Sequence, residues 1–212
     1  MTECPNSTGK TNPPAPLGHP TTGIADALVA DLRDLAGELA GQSFTTSSVS
    51  MLHRDLRLTV RSLLGFSITM TVLGPSASVA INVVEEPLDP TTAGDSLAIE
   101  LPPRDPGMTA SVAIYAAAEH GLDDLREDLS YALDLPVAAL TISPSTQALI
   151  LPGITGLDDF LQVHQALGVL LSRGHTHGSA GVELIRQAHG RPGGLVAAAQ
   201  ALLDGTTAVA HE

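Results

Sequence analysis

The spacing of hydrophobic residues changes along the chain between a helical period and a strand period, and this change limits the possible folds most. Residues 24–40 carry leucines three or four positions apart, which fits an amphipathic helix or a short coiled-coil seam. A second helical stripe runs through residues 49–63. Residues 66–72 then alternate between hydrophobic and hydroxyl side chains, as in a half-buried strand. The chain therefore combines helices with strands.

The residues after this strand predict a sheet and then a helical block. Gly74-Pro75 is a turn signal, so the first two strands should form a hairpin. Hydrophobic alternation and turn residues predict further strands at 77–84, 97–101, 110–116 and 137–142. Helical spacing returns in segments that we expect at 122–133, at 157–173, from a cap at Ser179 to His189, and from Leu195 to a stop at Gly205.

These elements suggest an α+β chain in four parts. The parts differ in composition, because the first and third are rich in Pro and in small or polar residues. They are a disordered leader at 1–22, an α+β domain at 23–142, a linker at 143–156 and a three-helix domain at 157–206.

Charge and composition narrow the function classes. The net charge is −13, so the chain repels nucleic acid at long range and any RNA contact must be local. A single cysteine, Cys4, excludes an intramolecular disulfide and fits a cytoplasmic protein. No stretch reaches the roughly 20 apolar residues of a membrane span, so no membrane association is expected. No segment has the pattern of a signal peptide.

Catalytic and metal-binding motifs are missing from the sequence. It contains no Gly-rich phosphate loop, no Gly-x-Ser-x-Gly and no His-Glu-x-x-His. His175 and His177 lie in a Gly-rich turn without a nearby cysteine, and we interpret them as exposed turn residues instead of zinc ligands. The chain is therefore not expected to be an enzyme, and no cofactor or metal is expected.

The C-terminal run from Val163 to Leu203 resembles the ANTAR domain of transcription antitermination regulators. Its first helix carries Ala166-Leu167-Gly168 followed by an aliphatic run, and a short turn leads to the second helix. The other matching positions are Ala180, Leu184 and Arg186 in the second helix and Leu195, Val196, Ala199 and Leu202 in the third. The resemblance implies a three-helix domain that binds RNA hairpins and acts in transcription antitermination.

The stretch from about Ser50 to Leu133 is similar to a small GAF-like sensor domain in the order of its elements. The similarity implies an antiparallel sheet with flanking helices, a small-molecule or protein signal as ligand, and control of a homodimer. Together the two resemblances imply a signal-responsive RNA-binding regulator.

Four side chains are the candidate RNA contacts: Arg173, Arg186, His189 and Arg191. Arginines hold phosphates, and a histidine can stack on a base or donate a hydrogen bond. We expect these groups on one exposed side of the three-helix domain. ANTAR domains usually carry Lys where Leu167 stands, and this leaves an alternative open. In that alternative the chain is a protein-interaction or dimerisation module of the same fold that has lost RNA binding.

Overall fold

The computed structural model describes residues 22–41, 44–72, 77–85, 94–101, 108–134, 140–144 and 153–209. Residues 1–21 of the expected leader and residues 145–152 of the expected linker lie outside these segments. The elements appear in the order that the hydrophobic spacing predicts, with one additional short strand at residues 153–155 in the predicted linker.

Two helices precede the sheet, α1 (Thr22–Gly41) and α2 (Thr46–Thr59). The strands are β1 (Leu63–Val72), β2 (Ser78–Val84), β3 (Asp95–Leu101), β4 (Met108–Ala116), β5 (Thr141–Pro144) and β6 (Gly153–Thr155). The remaining helices are α3 (Asp123–Ala132), between β4 and β5, and α4 (Leu157–Ser172), α5 (His177–Ala188) and α6 (Gly194–Val209) at the end.

The six strands form one antiparallel sheet in the order β5-β3-β4-β1-β2-β6. The predicted hairpin of β1 and β2 is confirmed, with Ile68 opposite Ile81. On its other side Ile68 lies opposite Val112 of β4. The predicted α+β class and the antiparallel sheet are therefore confirmed.

Helices cover one face of this sheet. Phe66, Ile68, Met70 and Val72 of β1 point to that face and are buried. They belong to one hydrophobic core that also contains buried residues from all six helices. The leucines of α1 that also fitted a coiled-coil seam are part of this core. They stabilise the chain's own fold and are not available to a partner.

The opposite face of the central strands carries small and hydroxyl side chains. Ser67 and Tyr115 are buried there, and their hydroxyl oxygens are 3.1 Å apart. Burial raises the pKa of Tyr115. A neutral phenol that shares a hydrogen bond avoids the cost of burying an unsatisfied polar group.

The segment predicted to be a linker takes part in the sheet at both of its described ends. It supplies the end of β5, and β6 pairs with the edge of β2, with Thr155 opposite Asn82. From β6 the chain enters α4 after Gly156, whose φ of 76° favours glycine. The three C-terminal helices are thus joined directly to the sheet edge.

Helix α5 begins earlier than the sequence suggested. Thr176 is its N-cap, and the cap pairs reciprocally with Ser179: the Thr176 side chain accepts from the Ser179 N–H at 3.2 Å, and the Ser179 side chain accepts from the Thr176 N–H at 2.9 Å. Ser179 is therefore the third helical residue of a capping box and not the cap itself. The prediction of Ser179 as the N-cap is wrong.

None of the helices in the described residues is both long enough and apolar enough to cross a lipid bilayer.

Candidate nucleic-acid interface

Three of the four predicted RNA contacts lie together at the C-terminal end of α5. Arg186 is in the last turn of α5, His189 is its C-cap, and Arg191 lies in the tight turn before α6; all three are exposed. Backbone hydrogen bonds fix this turn, from the N–H of His189 to the carbonyl of Ile185 and from the N–H of Arg191 to the carbonyl of Ala188, both at 3.0 Å. The turn therefore holds these three side chains within a short stretch of surface.

Arg186 is not a free cation at this surface. Its Nε donates to Glu183 Oε2 at 2.8 Å, and its Nη2 donates to Glu183 Oε1 at 2.6 Å. Gln187 Nε2 donates to the same carboxylate at 2.7 Å. Hydrogen bonds from Arg186 and Gln187 lower the pKa of Glu183 to about 2, so the carboxylate stays charged at neutral pH. The charge of Arg186 is thus compensated locally.

Arg191 and His189 differ from Arg186 in this respect. In the described part of the chain neither has a carboxylate partner; Arg191 Nη1 makes only a long hydrogen bond of 3.4 Å to the Ala197 carbonyl on α6. That contact leaves the other guanidinium donors of Arg191 available, because an arginine carries five N–H groups.

Arg173 lies away from the other three. It is the C-cap of α4, before α5 begins at His177. Arg186 lies about 14 Å from the start of α5 at His177, measured along the helix axis at 1.5 Å per residue. The structure therefore brings together Arg186, His189 and Arg191, and places Arg173 near the opposite end of α5.

The exposed side of α5 also contains an apolar residue that the sequence analysis missed. Val182 is 55% exposed and lies one turn before Arg186. Successive residues of one exposed set are three or four positions apart, so the set shares one helix face: Ser179, Val182, Arg186 and His189. The spacing was visible in the sequence, but it does not say which face of α5 is exposed.

His164, on α4, connects the C-terminal helices with the first helix. It is 4% exposed, and its Nε2 lies 2.9 Å from the carbonyl oxygen of Leu39 near the end of α1. A carbonyl only accepts, so Nε2 carries the proton. Burial lowers the pKa of His164, which keeps the ring neutral. The rings of Phe44 and Phe160 pack beside it with centroids 5.0 Å apart.

The space around His164 is too small for a ligand. A cavity of about 10 Å³ lies between α1, the sheet and the helices α4 and α5, next to Leu39, Val72, His164 and Leu167. This volume holds at most one water molecule. Within the described residues no group of three or more His, Cys, Asp or Glu side chains is arranged to hold a metal ion.

Comparisons with known proteins return no match: no protein-family model, no curated protein and no solved structure is significantly similar to this chain. The resemblances to ANTAR and GAF-like domains therefore remain predictions from the sequence.

Proposed function

We propose that the chain is a signal-responsive RNA-binding regulator of transcription antitermination, and that its RNA contact is the C-terminal end of α5. The observation that carries this proposal is the grouping of Arg186, His189 and Arg191 on one short exposed turn. Three helices at the positions that the ANTAR resemblance implies give further support.

The chemistry of this surface suits a small, shaped RNA target. Arg191 and Arg186 can each hold a phosphate oxygen, because a guanidinium matches phosphate geometry. His189 can stack on an unpaired base of a hairpin loop or donate to it, and Val182 adds apolar contact beside it. No Phe, Tyr or Trp follows Phe160 in the sequence, so at the C-terminal end of α5 the group that can stack on a base is His189.

Glu183 sets the strength of this contact. A phosphate must compete with Glu183 for Arg186, which already makes two hydrogen bonds to that carboxylate. The net charge of −13 adds long-range repulsion. Binding in this proposal is therefore weak and only moderately sensitive to salt, because few phosphates are engaged, and it depends on shape more than on attraction.

In this proposal the α+β part is the cytoplasmic sensor, and it responds to a small molecule or a protein. The bond between His164 and the Leu39 carbonyl, and the aromatic packing beside it, connect that part with α4. A signal that moves the end of α1 would therefore reach α4 through this buried contact.

A gel-shift series with hairpin RNAs at low salt tests the proposal. The full chain should shift a hairpin with an unpaired loop, and Arg191→Ala should weaken the shift, since Arg191 has no competing carboxylate within the described residues. Asp158→Asn, an exposed change on α4, serves as the control and should leave RNA binding intact. Absence of any shift with the wild-type chain at low salt would reject RNA binding.

One observation favours a second candidate, a protein-interaction module of the same fold without RNA binding. The ion pair of Arg186 with Glu183 compensates one of the two arginines at this surface. The exposed Val182 beside it makes α5 a mixed apolar and polar face, which suits a protein partner. In that case Val182→Asp abolishes partner binding in a pull-down, while added RNA does not compete.

A further inference from the structure

The helices α1, α2 and α3 lie side by side on one face of the sheet. Helix α1 packs on β3 and α2 packs on β1, and α1 also packs against both α2 and α3. The described residues of α2 and α3 make almost no contact with each other. Helix α1 is therefore the middle helix of this layer, and the exposed sides of the three helices face away from the sheet.

The exposed side of α2 is basic and apolar. Met51 and Leu58 are 44% and 70% exposed, and two arginines lie between them, with Arg61 just beyond the helix. We call Met51, Arg54, Arg57, Leu58 and Arg61 the basic stripe.

The arginines of the basic stripe retain donors for a partner. Arg54 and Arg57 contact Asp55 and Glu85 through Nε, at 2.8 Å and 3.3 Å. Both carboxylates are mostly covered, whereas the two arginine side chains are largely exposed. An arginine has four further N–H groups on its terminal nitrogens. The charges of Arg54 and Arg57 are therefore partly compensated, but their terminal nitrogens remain available as donors. Arg61 has no carboxylate partner among the described residues.

The exposed side of α3 has the opposite character. Tyr131 is 83% exposed, and Asp124 and Glu127 precede it on the same helix face at spacings of three and four. Asp134 follows just beyond the helix and is also exposed. We call Asp124, Glu127, Tyr131 and Asp134 the acidic stripe. None of these carboxylates has an ion-pair partner within the described residues.

We infer that the layer of α1, α2 and α3 is a homodimer interface in which the basic stripe of one copy contacts the acidic stripe of the other. A two-fold axis parallel to the middle helix puts α1 against α1 of the second copy and α2 against α3. Each dimer then contains two equivalent contacts between opposite charges. Each contact also pairs Met51 and Leu58 with Tyr131 of the other copy.

The middle of this interface permits close approach. Ala27 and Ala30 are exposed on α1, and Gly37 follows on the same side. Small side chains let two helices pack closely, and Arg33 and Asp34 beside them can pair across the two-fold axis.

The layer is large enough for a stable dimer. Helices of 20, 14 and 10 residues lie in it. Because α2 lies against the shorter α3, the covered length is 20 residues of α1 and 10 residues each of α2 and α3; at 1.5 Å per residue and about 9 Å between axes this is about 540 Å² per copy, or about 1,100 Å² in total. That total just exceeds the roughly 1,000 Å² that a biological interface needs. Three of the five large hydrophobic side chains that are exposed in the described residues lie in this layer.

Sedimentation velocity of the full chain tests the interface. The wild-type chain should be a dimer at concentrations of about 100 µM. Arg61→Glu and Glu127→Lys should each raise the dimer dissociation constant at least about tenfold. Each substitution reverses a charge in one stripe, so like charges face one another in both of the equivalent contacts of the dimer. Leu58→Asp should also raise the dissociation constant, whereas Val182→Asp, at a similarly exposed position on α5, should leave it unchanged.

Mixing the two charge variants separates this arrangement from other dimers. In a mixed dimer one contact is wild-type and the other has both charges reversed, so an equimolar mixture should recover the wild-type dissociation constant. A monomeric wild-type chain, or a mixture that dimerises no better than the separate variants, overturns the inference. Circular dichroism of each variant confirms that it is folded. The result does not depend on RNA binding, so this inference and the proposed function can fail separately.

Discussion

His164 on α4 and Leu39 on α1 are 125 residues apart in sequence and joined by a hydrogen bond of 2.9 Å. The imidazole is buried and neutral, and it donates its proton to a carbonyl near the end of α1. A polar bond inside an apolar core fixes the relative position of its two elements more strictly than hydrophobic contact alone. It is therefore the best defined link between the first helix and the C-terminal helices.

Replacing this histidine by an apolar ring of similar size should destabilise the fold. His164→Phe leaves the Leu39 carbonyl buried without its donor, which costs about 1–3 kcal/mol. Urea denaturation measures the change in the free energy of unfolding. His189→Gln, at an exposed histidine, is the control and should change that free energy by less than about 0.5 kcal/mol. Equal stabilities of the two variants would show that the buried bond contributes nothing.

The pair of Asp31 on α1 and Asp55 on α2 should make stability depend on pH. Burial, followed by the neighbouring Asp55 carboxylate, raises the pKa of Asp31 from its ordinary value of 3.8 to about 6. A hydrogen bond from Arg54 holds the pKa of Asp55 below its usual range. Between about pH 4 and pH 6 the folded chain keeps a proton that the unfolded chain releases, so the contribution of Asp31 is lost as pH rises through 6.

Asp31→Asn should remove this dependence. At about pH 7.5 the variant should be more stable than the wild type by about 1 kcal/mol, once screening by solvent is allowed for. Near pH 3 the two chains should be almost equally stable, because Asp31 is then protonated in the folded state and largely protonated in the unfolded state. Asp26→Asn, on the exposed side of α1, is the control. A stability difference that does not change with pH would contradict the raised pKa of Asp31.

Glu183→Gln should strengthen RNA binding. The substitution releases Arg186 from a carboxylate that holds it by two hydrogen bonds, and one more cation becomes available to phosphate. Fluorescence anisotropy should show an affinity several times higher and a salt slope steeper by about 0.7–0.9 units. Asp158→Asn changes the net charge equally but lies on α4, and it should have a much smaller effect. Weaker binding by Glu183→Gln would mean that the ion pair orders the interface instead of blocking it.

Arg173 and Arg191 should contribute unequally to RNA binding. Arg191 lies beside Arg186 and His189, whereas Arg173 lies before the start of α5. Arg191→Ala should therefore weaken hairpin binding severalfold, with Arg173→Ala close to the wild type in the same anisotropy assay. If the two variants lost equal RNA affinity, the RNA would contact the whole length of α5, which would contradict an interface at its C-terminal end.

Hydrophobic spacing was sufficient to predict most helices and strands. The alternation through Phe66, Ile68 and Met70 identified β1, and the leucine stripe identified α1, because both periods reflect burial of one side. The second helix ends at Thr59, earlier than predicted, because Leu63 already belongs to β1. Where a helix is followed closely by a strand, the same apolar residues can fit both periods. The spacing then does not show where the helix ends and the strand begins.

Contacts between distant parts of the chain could not be predicted from spacing. The strand β6 has three residues and exists because it pairs with the edge of β2, so its sequence resembles a linker. The bond of His164 to Leu39 has no local signature. In contrast, the ion pair of Glu183 with Arg186 was visible as an acid and a base three residues apart on one helix.

The salt dependence of hairpin binding tests the central claim most directly. If Arg186 and Arg191 at the end of α5 engage two phosphates, the logarithm of the association constant should fall linearly with the logarithm of salt concentration, with a slope of about −1.4 to −1.8. Binding should then weaken by about 7-fold to 12-fold between 50 and 200 mM salt. Arg191→Ala should reduce the slope by about 0.7–0.9 units. No binding at 50 mM salt, or a slope that this substitution leaves unchanged, contradicts RNA recognition by this surface.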